Sequence, residues 1–294
     1  MKAVVGIDLA GHYKGALAML LGLGLEDLRL ELVHSVEPLP SYIPELGPAA
    51  YTNAGYSEQL HRAGETEVAS AEQLACGKGV TCNTHVLDGS PAPILMDCGD
   101  TWDADLIAVG SAKRDRVSAA LFGSVGRGLA VSAKQSILVA KTNGAAKEGP
   151  FTAVFATDHS EYANKCLEKL LSWAPKGLKR VHVVHAYETS DKDLAILETH
   201  LPKGYISAED WVAKETEAKT KAVAQRIEDA GTPTQVLVAR GHANDVIRTA
   251  MHAAKADLLI VGAQGHGFLE RLLIGSVSLH QVVVEPYSVL VVRV

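Results

Sequence analysis

The sequence lacks an excess of basic charge and any long apolar run. Its 28 lysines and arginines are outnumbered by 34 aspartates and glutamates, so neither nucleic acid nor an anionic membrane surface is an expected partner. The longest apolar stretch, Gly15 to Leu25, has about half the length needed to cross a bilayer. Asp8 interrupts the amino-terminal segment, where a signal peptide needs continuous apolar residues. We therefore expect a soluble, cytoplasmic protein.

Cysteine is also scarce. The chain has four cysteines in 294 residues, none of them in a C-x-x-C pair, and three lie in one half. This distribution suits neither a disulfide framework nor a structural zinc site. We expect Cys76, Cys82, Cys98 and Cys166 to be small packed thiols.

The sequence does contain an internal repeat, with an offset of about 150 residues. Residues 104–110, ADLIAVG, recur almost unchanged as residues 256–262, ADLLIVG. Each half also begins with an apolar run that ends in an aspartate, Asp8 in the first and Asp158 in the second. Two copies of one domain are the simplest explanation.

The boundaries of the repeat follow from composition. The stretch from Thr142 to Pro150 is rich in glycine and alanine with interspersed polar residues, which is typical of a linker. The predicted domains are therefore residues 1–142 and residues 150–294.

Short apolar runs alternate with segments of helical spacing in both halves. Each half has five such runs, rich in valine, isoleucine and leucine, as expected for parallel strands buried on both faces. Strand–helix–strand repeats imply right-handed crossovers. The predicted fold class is α/β, with two tandem, doubly wound open sheets of five parallel strands each, Rossmann-like, in the order 3-2-1-4-5.

Each half has one long interval between its second strand and the next helix. These intervals, Glu37 to Tyr56 and Glu188 to Ser207, are predicted to be irregular. Such lengths are uncommon unless they are functional or mobile. A lid over a ligand, a dimer contact and a plain surface excursion all remain open.

A glycine-rich loop follows the fourth strand of the second half, with the pattern Gly262-x2-Gly265-x9-Gly275-Ser276. Glycine lets the backbone adopt positive φ or approach a ligand closely, because no Cβ intervenes. Gly275 and Ser276 begin a predicted helix, where free amides favour an anion, and Ser276 and Ser278 offer hydroxyl donors. Since ligands bind at the carboxyl ends of the strands in open parallel sheets, this loop predicts a phosphate site.

On these residues the sequence resembles a tandem universal stress protein over nearly its whole length. Nucleotide-binding members of that family carry Gly-x2-Gly-x9-Gly-Ser/Thr after the fourth strand, and Gly262, Gly265, Gly275 and Ser276 match this motif. The resemblance extends to the aspartates that end the first strand of each half.

The resemblance implies a set of nucleotide contacts in the second half. It places Ala156, Thr157 and Asp158 on the nucleoside side and Val184 or His185 beside adenine. It assigns the ribose and the phosphates to Val261, Gly262, Gly265, Gly275, Ser276, Val277 and Ser278. The ligand in the family is usually ATP with a divalent ion, so ATP with Mg²⁺ is the expected cofactor. No metal-ligating residues are assigned.

The first half departs from the motif. Lys113 stands where the second glycine belongs, although Gly123 and Ser124 keep their spacing after Gly110. The Lys113 side chain obstructs a phosphate, whereas its charge attracts one, and a solvated basic loop is a third interpretation. The weaker candidates in this half are Asp8, Gly110, Gly123 and Ser124.

Catalytic motifs are missing from the sequence. It contains no G-x4-G-K-[ST], no G-x-S-x-G and no kinase motif set, which disfavours ordinary ATPase, hydrolase and kinase functions. His242 and His266 lie on loops expected near the ligand, but without zinc-site spacing we expect surface or hydrogen-bonded histidines. The leading hypothesis is an ATP-binding stress-response or regulatory protein. The alternatives are a slow adenine-nucleotide hydrolase or transferase using the same pocket, and a nucleotide-independent assembly module.

The resemblance also implies how the halves assemble. The two closing strands, Ser136 to Lys141 and Ser288 to Arg293, are expected to pair within the chain, since an apolar edge left exposed invites aggregation. A homodimer of such paired chains is the expected quaternary structure.

Overall fold

The computed structural model describes residues 1–37, 54–112, 124–142, 147–265 and 274–294. In the first half, strands and helices alternate along the chain. They are β1 (Lys2–Ile7), α1 (Tyr13–Gly22), β2 (Arg29–Val36), α2 (Ala54–Cys76), β3 (Thr81–Asp88), α3 (Pro91–Thr101), β4 (Leu106–Ala112), α4 (Ser124–Ser132) and β5 (Ser136–Thr142).

The second half repeats this alternation and, within the described residues, has one helix more. Its elements are β6 (Phe151–Ala156), α5 (Glu161–Ser172), β7 (Leu178–Tyr187), α6 (Asp191–Glu198), α7 (Ala208–Asp229), β8 (Thr234–Arg240), α8 (Ala243–Ala254), β9 (Leu258–Gly262), α9 (Ser276–Val283) and β10 (Ser288–Val292).

The strand order confirms the predicted fold class. Each half is a parallel open sheet in the order 3-2-1-4-5, and the two halves join into one ten-stranded sheet, β3-β2-β1-β4-β5-β10-β9-β6-β7-β8. The join is the expected pairing of closing strands. β5 and β10 are antiparallel, with Leu138 opposite Leu290 and Val139 opposite Val289.

The core lies on both faces of this sheet. Successive side chains of a strand point to opposite faces, so Leu138 and Leu290 belong to one buried cluster, while Val139 and Val289 belong to the other. Both clusters contain residues of both halves. The continuous apolar runs of the sequence are therefore explained by helices that cover both faces.

The prediction that residues 188–207 are irregular was wrong in part. This segment contains α6, which begins with a reciprocal capping box between Ser190 and Asp193. The Ser190 hydroxyl accepts from the Asp193 backbone N–H at 3.1 Å, and such boxes are a local signal for a helix start. Most of the corresponding first interval, residues 38–53, lies outside the described residues.

Within the described ranges, no helix is both long and apolar enough to span a membrane.

Candidate functional site

A cavity of about 500 Å³ opens at the carboxyl edge of the second repeat. Eleven of the twelve contacts predicted in this repeat line it: Ala156, Thr157, Asp158, Val184, Val261, Gly262, Gly265, Gly275, Ser276, Val277 and Ser278. They come from the ends of β6, β7 and β9 and from the start of α9. The cavity therefore lies where the strand order reverses, as ligand sites do in open α/β sheets.

The glycine loop lies directly against the carboxylate that follows β6. A β carbon added to Gly265 would lie 2.7 Å from Oδ2 of Asp158, a distance at which something must move. The other carboxylate oxygen of Asp158 accepts from the backbone N–H of Ser160 at 3.0 Å. Asp158 thus holds the turn into α5 while it contacts the loop.

The described glycines of this loop do not adopt positive φ. Gly275 has a φ of −76°, and neither Gly262 nor Gly265 falls in the left-handed region. Of the two reasons for glycine given above, only close approach applies. Gly265 is needed because the backbone packs against Asp158.

The start of α9 is fixed by the loop itself. The Gly275 N–H donates to the Ala263 carbonyl at 2.6 Å, and the Ser278 hydroxyl donates to the Gly262 carbonyl at 2.7 Å. The Ser278 donor expected for the ligand is therefore used to hold the loop. Ser276 is exposed at the first position of the helix, where backbone amides have no acceptor within the helix. Helix starts favour anions, so these amides and the Ser276 hydroxyl are candidate donors to one.

The opposite wall of the cavity is apolar. Val184, Val261 and Ile247 are each buried and line it together with Ala156. A flat aromatic ring fits such a wall, whereas the glycine loop offers polar backbone. The two ends of the cavity therefore suit the two ends of a nucleotide.

The charged side chains among the described lining residues of the cavity are acidic. Asp158 and the exposed Glu188 line it, and no lysine or arginine is among its described lining residues. A phosphate bound here depends on backbone amides, because carboxylates repel it. The same carboxylates are suitable acceptors for ribose hydroxyls.

His185 is placed differently from the remaining predicted contacts. Its ring donates from Nδ1 to the Thr157 carbonyl at 2.9 Å and stacks on His159 with ring centroids 4.1 Å apart. It lines a second cavity of about 700 Å³ rather than the first. Adjacent residues of a strand face opposite sides, so Val184, and not His185, borders the first cavity. His34 makes the same contact in the first repeat, to the Ile7 carbonyl at 2.8 Å, which indicates a structural role.

Beneath the loop lie the buried Cys166 and the partly buried Tyr162. A β carbon on Gly262 would meet Cys166 Sγ at 3.3 Å and Tyr162 Cδ1 at 3.5 Å. Burial raises the pKa of the Cys166 thiol and of the Tyr162 phenol to about 12 in each case. Both groups are protonated at neutral pH, so they act as packing under the loop.

In the first repeat the start of α1 packs against Gly110, the glycine that corresponds to Gly262. Both carboxylate oxygens of Asp8 accept backbone N–H groups, from His12 at 3.3 Å and from Tyr13 at 2.8 Å. The start of α1 then lies so close to Gly110 that a β carbon there would be 2.0 Å from the His12 carbonyl oxygen. The backbone of α1 thus packs on the side of Gly110 where Cys166 and Tyr162 pack against Gly262 in the second repeat.

A second contact in the first repeat lies between Gly6 and Leu95. A β carbon on Gly6 would lie 2.9 Å from the Leu95 side chain. The repeat places Leu95 where the second half has Ile247, and Gly6 where it has Ala156. Of the two remaining first-repeat candidates, Ser124 is exposed at the start of α4, whereas Gly123 lies outside the described residues.

Several lining residues were missed by the sequence prediction. Ala163, Ala186, Glu188, Gly241, Ala243, Ile247 and Gln264 also line the cavity. Ala163, Ala243 and Ile247 lie on helices with ordinary apolar spacing, which carries no local signal of a site. Only the repeat could have indicated Ile247, through its alignment with Leu95.

Of the two histidines expected near the ligand, His242 and His266, the structure describes only His242. The backbone N–H of Asn244 lies 3.4 Å from His242 Nδ1, and His242 is the residue that caps α8. The expectation of a hydrogen-bonded histidine is confirmed there. His266 lies outside the described residues. Within the described part of the chain, no group of three or more His, Cys, Asp or Glu side chains is arranged to hold a metal ion.

The repeated unit, its strand order and the glycine loop at the carboxyl edge define a tandem α/β protein of the Rossmann-like class. The universal stress protein family model matches residues 1–141 and again residues 152–293. The chain therefore belongs to the universal stress protein family, with two copies of the family domain.

The chain is also similar to individual proteins. A universal stress protein of Archaeoglobus fulgidus has the same fold over 99% of this chain and 98% of its own, with a TM-score of 0.70 at 16% identity. A Thermus aquaticus universal stress protein is 29% identical over 143 residues, which cover 48% of this chain and 98% of that protein. An Arabidopsis thaliana universal stress protein family protein with AMP bound aligns with 49% of this chain and 93% of its own, with a TM-score of 0.36 at 16% identity.

Proposed function

We propose that the second repeat binds ATP in the 500 Å³ cavity and that the protein acts as a stress-response or regulatory protein through its nucleotide occupancy. The observation that carries this proposal is the approach of the Gly265 backbone to Asp158. With the loop in this position, the cavity has polar backbone groups at one end and an apolar wall at the other.

The dimensions support a ligand of this class. Small-molecule sites typically have volumes of about 300–1,000 Å³ and combine apolar walls with a few polar groups. In this proposal adenine lies against Val184, Val261 and Ile247, and the Asp158 carboxylate accepts from the ribose. The phosphates lie at the start of α9, where Ser276 and the first-turn amides face them. Mg²⁺ arrives with the phosphates.

Occupancy rather than turnover is proposed as the output. Rapid hydrolysis needs a positioned base or nucleophile near the γ-phosphate. The thiol beneath the loop is buried, the phenol there is partly buried, and both have raised pKa values. His242 caps a helix. We propose that a partner protein distinguishes the occupied form from the empty form.

Three measurements test the proposal. Mass spectrometry of nucleotide released from purified protein identifies the ligand, and titration calorimetry gives the affinity for ATP and for AMP with and without Mg²⁺. Incubation with labelled ATP measures turnover. A rate of about one per second or faster lies in the ordinary enzyme range and would favour the hydrolase or transferase alternative. Absence of binding to either nucleotide would favour the assembly module.

The remaining parts of the proposal concern location, boundaries and assembly. We propose a cytoplasmic protein whose domains are residues 1–142 and 150–294, assembled as a homodimer. Because β5 and β10 already pair within the chain, a homodimer must use another surface. Light scattering tests this directly, and a monomeric mass would exclude it.

A further inference from the structure

The two closing strands make reciprocal contacts across the join between the repeats. The backbone N–H of Lys141 donates to Ser288 Oγ at 3.0 Å, and the backbone N–H of Arg293 donates to Ser136 Oγ at 3.1 Å. Both cationic side chains are 5% exposed. Ser136 and Lys141 occupy in the first repeat the places that Ser288 and Arg293 occupy in the second, so the arrangement is pseudo-symmetric.

Lys141 caps a helix that belongs to the other repeat. Its Nζ donates to the carbonyls of Gln281 at 3.2 Å, Val282 at 2.6 Å and Glu285 at 2.6 Å. These carbonyls lie in the last turn of α9 and just beyond it. An ammonium group has three donors, and a cation at a helix C-terminus is stabilised by the helix dipole. The protonated lysine therefore matches this site fully.

Arg293 makes the corresponding cap in the first repeat. Its Nη1 donates to the Gln135 carbonyl at 3.0 Å, and its Nη2 donates to the Ala130 carbonyl. Ala130 lies in the last turn of α4, and Gln135 lies just beyond this helix. The two caps are alike in kind and burial. Only the one made by Lys141 holds a helix that begins at the proposed nucleotide site.

The capped end of α9 is also tied to α8, which forms another wall of the cavity. Gln281 donates from its side-chain amide to Asn244 Oδ1 at 2.9 Å. The fully buried Glu285 carboxylate accepts from Arg248 Nε at 2.9 Å. Asn244 and Arg248 lie on α8, whose first turns line the cavity. Lys141 thus contacts the point where the two helices flanking the cavity are joined.

The charged groups around Lys141 act in opposite directions. Burial lowers its pKa to about 7, and the charge of Glu285 partly offsets this effect. Glu285 is itself paired with Arg248, and His280 Nε2 lies 3.4 Å from the same carboxylate oxygen. Loss of the Lys141 proton would leave two donors for three carbonyls.

We propose that Lys141 is a positioning residue for the nucleotide cradle, through which the first repeat holds α9 in its binding position. The described lining residues of the cavity all belong to the second repeat. In this proposal the first repeat therefore acts on the cavity indirectly, through the contact of Lys141 with α9. This inference rests on the proposed function.

Matched variants in the full chain test the proposal. Lys141→Met and Arg293→Met remove equivalent buried cations, and Lys141→Arg keeps the charge. We expect Lys141→Met to weaken ATP binding about fivefold or more, in the range of ordinary coupling between sites, and Arg293→Met to leave it unchanged. Lys141→Arg should bind nearly as wild type does. Equal losses in both methionine variants, or no loss in Lys141→Met, would overturn the proposal.

The pH profile separates positioning from general damage. The affinity advantage of wild type over Lys141→Met should decline as pH rises through about 7, where the lysine loses its proton, whereas Lys141→Arg should show no such decline. A constant advantage across this range would contradict a role for the ammonium group. If Lys141→Met fails to fold, Lys141→Gln replaces it, with two of the three donors kept.

Hydrogen exchange on nucleotide-free protein distinguishes this inference from the proposed function. Lys141→Met should accelerate exchange in residues 276–283 and Arg293→Met in residues 124–132. If wild type binds no ATP, the proposed function fails, and the exchange data still decide whether Lys141 holds α9. Unchanged exchange of α9 in Lys141→Met would overturn the inference itself.

Discussion

Gly265 packs against Asp158 so closely that a β carbon on the glycine would lie 2.7 Å from the aspartate Oδ2. The two residues are separated by more than a hundred positions in sequence and come from loops after different strands of the second repeat. Both residues line the cavity of the second repeat. Any side chain at position 265 must move either the loop or the carboxylate.

The first prediction concerns Gly265. Gly265→Ala and Gly265→Lys, the latter copying Lys113 of the first repeat, should each lower the affinity for ATP by about tenfold or more, which corresponds to about 1.4 kcal/mol. The physical reason is displacement of the loop from Asp158. Titration calorimetry measures the loss, and circular dichroism should show that the fold is retained.

Gly126→Ala is the matched control for this pair. A β carbon there would meet Val139 at 3.6 Å, an ordinary contact, and alanine is favoured over glycine within a helix. Affinity and melting temperature should not fall. If Gly265→Ala binds ATP as wild type does, the glycine loop is not the binding site. In an Asp158→Ala background, the drop in melting temperature caused by Gly265→Ala should shrink, because the clashing carboxylate is gone.

The second prediction is a stoichiometry of one nucleotide per chain. In the first repeat the His12 carbonyl covers Gly110, and Leu95 packs on Gly6. A ligand ring there would have to displace the Leu95 side chain, and both carboxylate oxygens of Asp8 already accept backbone N–H groups. Calorimetry with an independently determined protein concentration gives the number of sites, and two equivalent sites would contradict this prediction.

The third prediction is a pH dependence of stability due to Lys141. Its pKa is about 7 in the folded protein against 10.5 as the ordinary value. Below pH 7 the lysine is protonated in both states, and the cost of burying the charge is fully present. Between these two values the unfolded state binds the additional proton, so stability rises with pH, by at most about 1.4 kcal/mol per pH unit.

This effect is isolated by comparison with Lys141→Met. Urea unfolding of both proteins at pH 6, 7.5 and 9 gives the difference in their free energies of unfolding. That difference should change in favour of wild type as pH rises above 7 and stay level below it. A difference that is independent of pH would show that Lys141 keeps its proton throughout.

The fourth prediction concerns the thiols. Cys76 is exposed, whereas Cys98 and Cys166 are buried, and burial raises the pKa of Cys98 to about 11 and that of Cys166 to about 12. Since the thiolate is the reactive form, iodoacetamide at pH 8 should label Cys76 first and Cys166 only on unfolding. Peptide mass spectrometry over a time course checks this order. Equal labelling rates for Cys76 and Cys166 in the native protein would contradict the packing under Gly262.

Much of the fold could be predicted because its signals are local or repeated. Apolar runs of strand length and the match between residues 104–110 and 256–262 indicated parallel strands in two copies, and the strand order is as predicted. The interval from Glu188 to Ser207 was misjudged although the capping box at Ser190 was readable. Its helix α6 has no buried residues, so it lacks the apolar periodicity on which the prediction depended.

The candidate site was predictable only where a motif or the family resemblance named the residue. Motif spacing identified Gly265, but the reason for glycine there is Asp158, a residue distant in sequence. The resemblance left Val184 and His185 open as neighbours of adenine, because adjacent strand residues point to opposite faces and sequence spacing does not say which face the cavity occupies. Ser278 was expected to serve the ligand, whereas its hydroxyl donates to Gly262.

The sequence by itself determined that this chain forms two copies of a doubly wound α/β unit. Strand-length apolar runs and glycine spacing are local signals, because each involves residues that are close together in the chain. Tertiary structure alone decided that His12, at the start of α1, lies against Gly110 in the first repeat. It also decided that Lys141 of that repeat caps a helix of the second. Such contacts join segments about a hundred residues or more apart. Their geometry depends on how the helices pack on the sheet, and no local pattern encodes it.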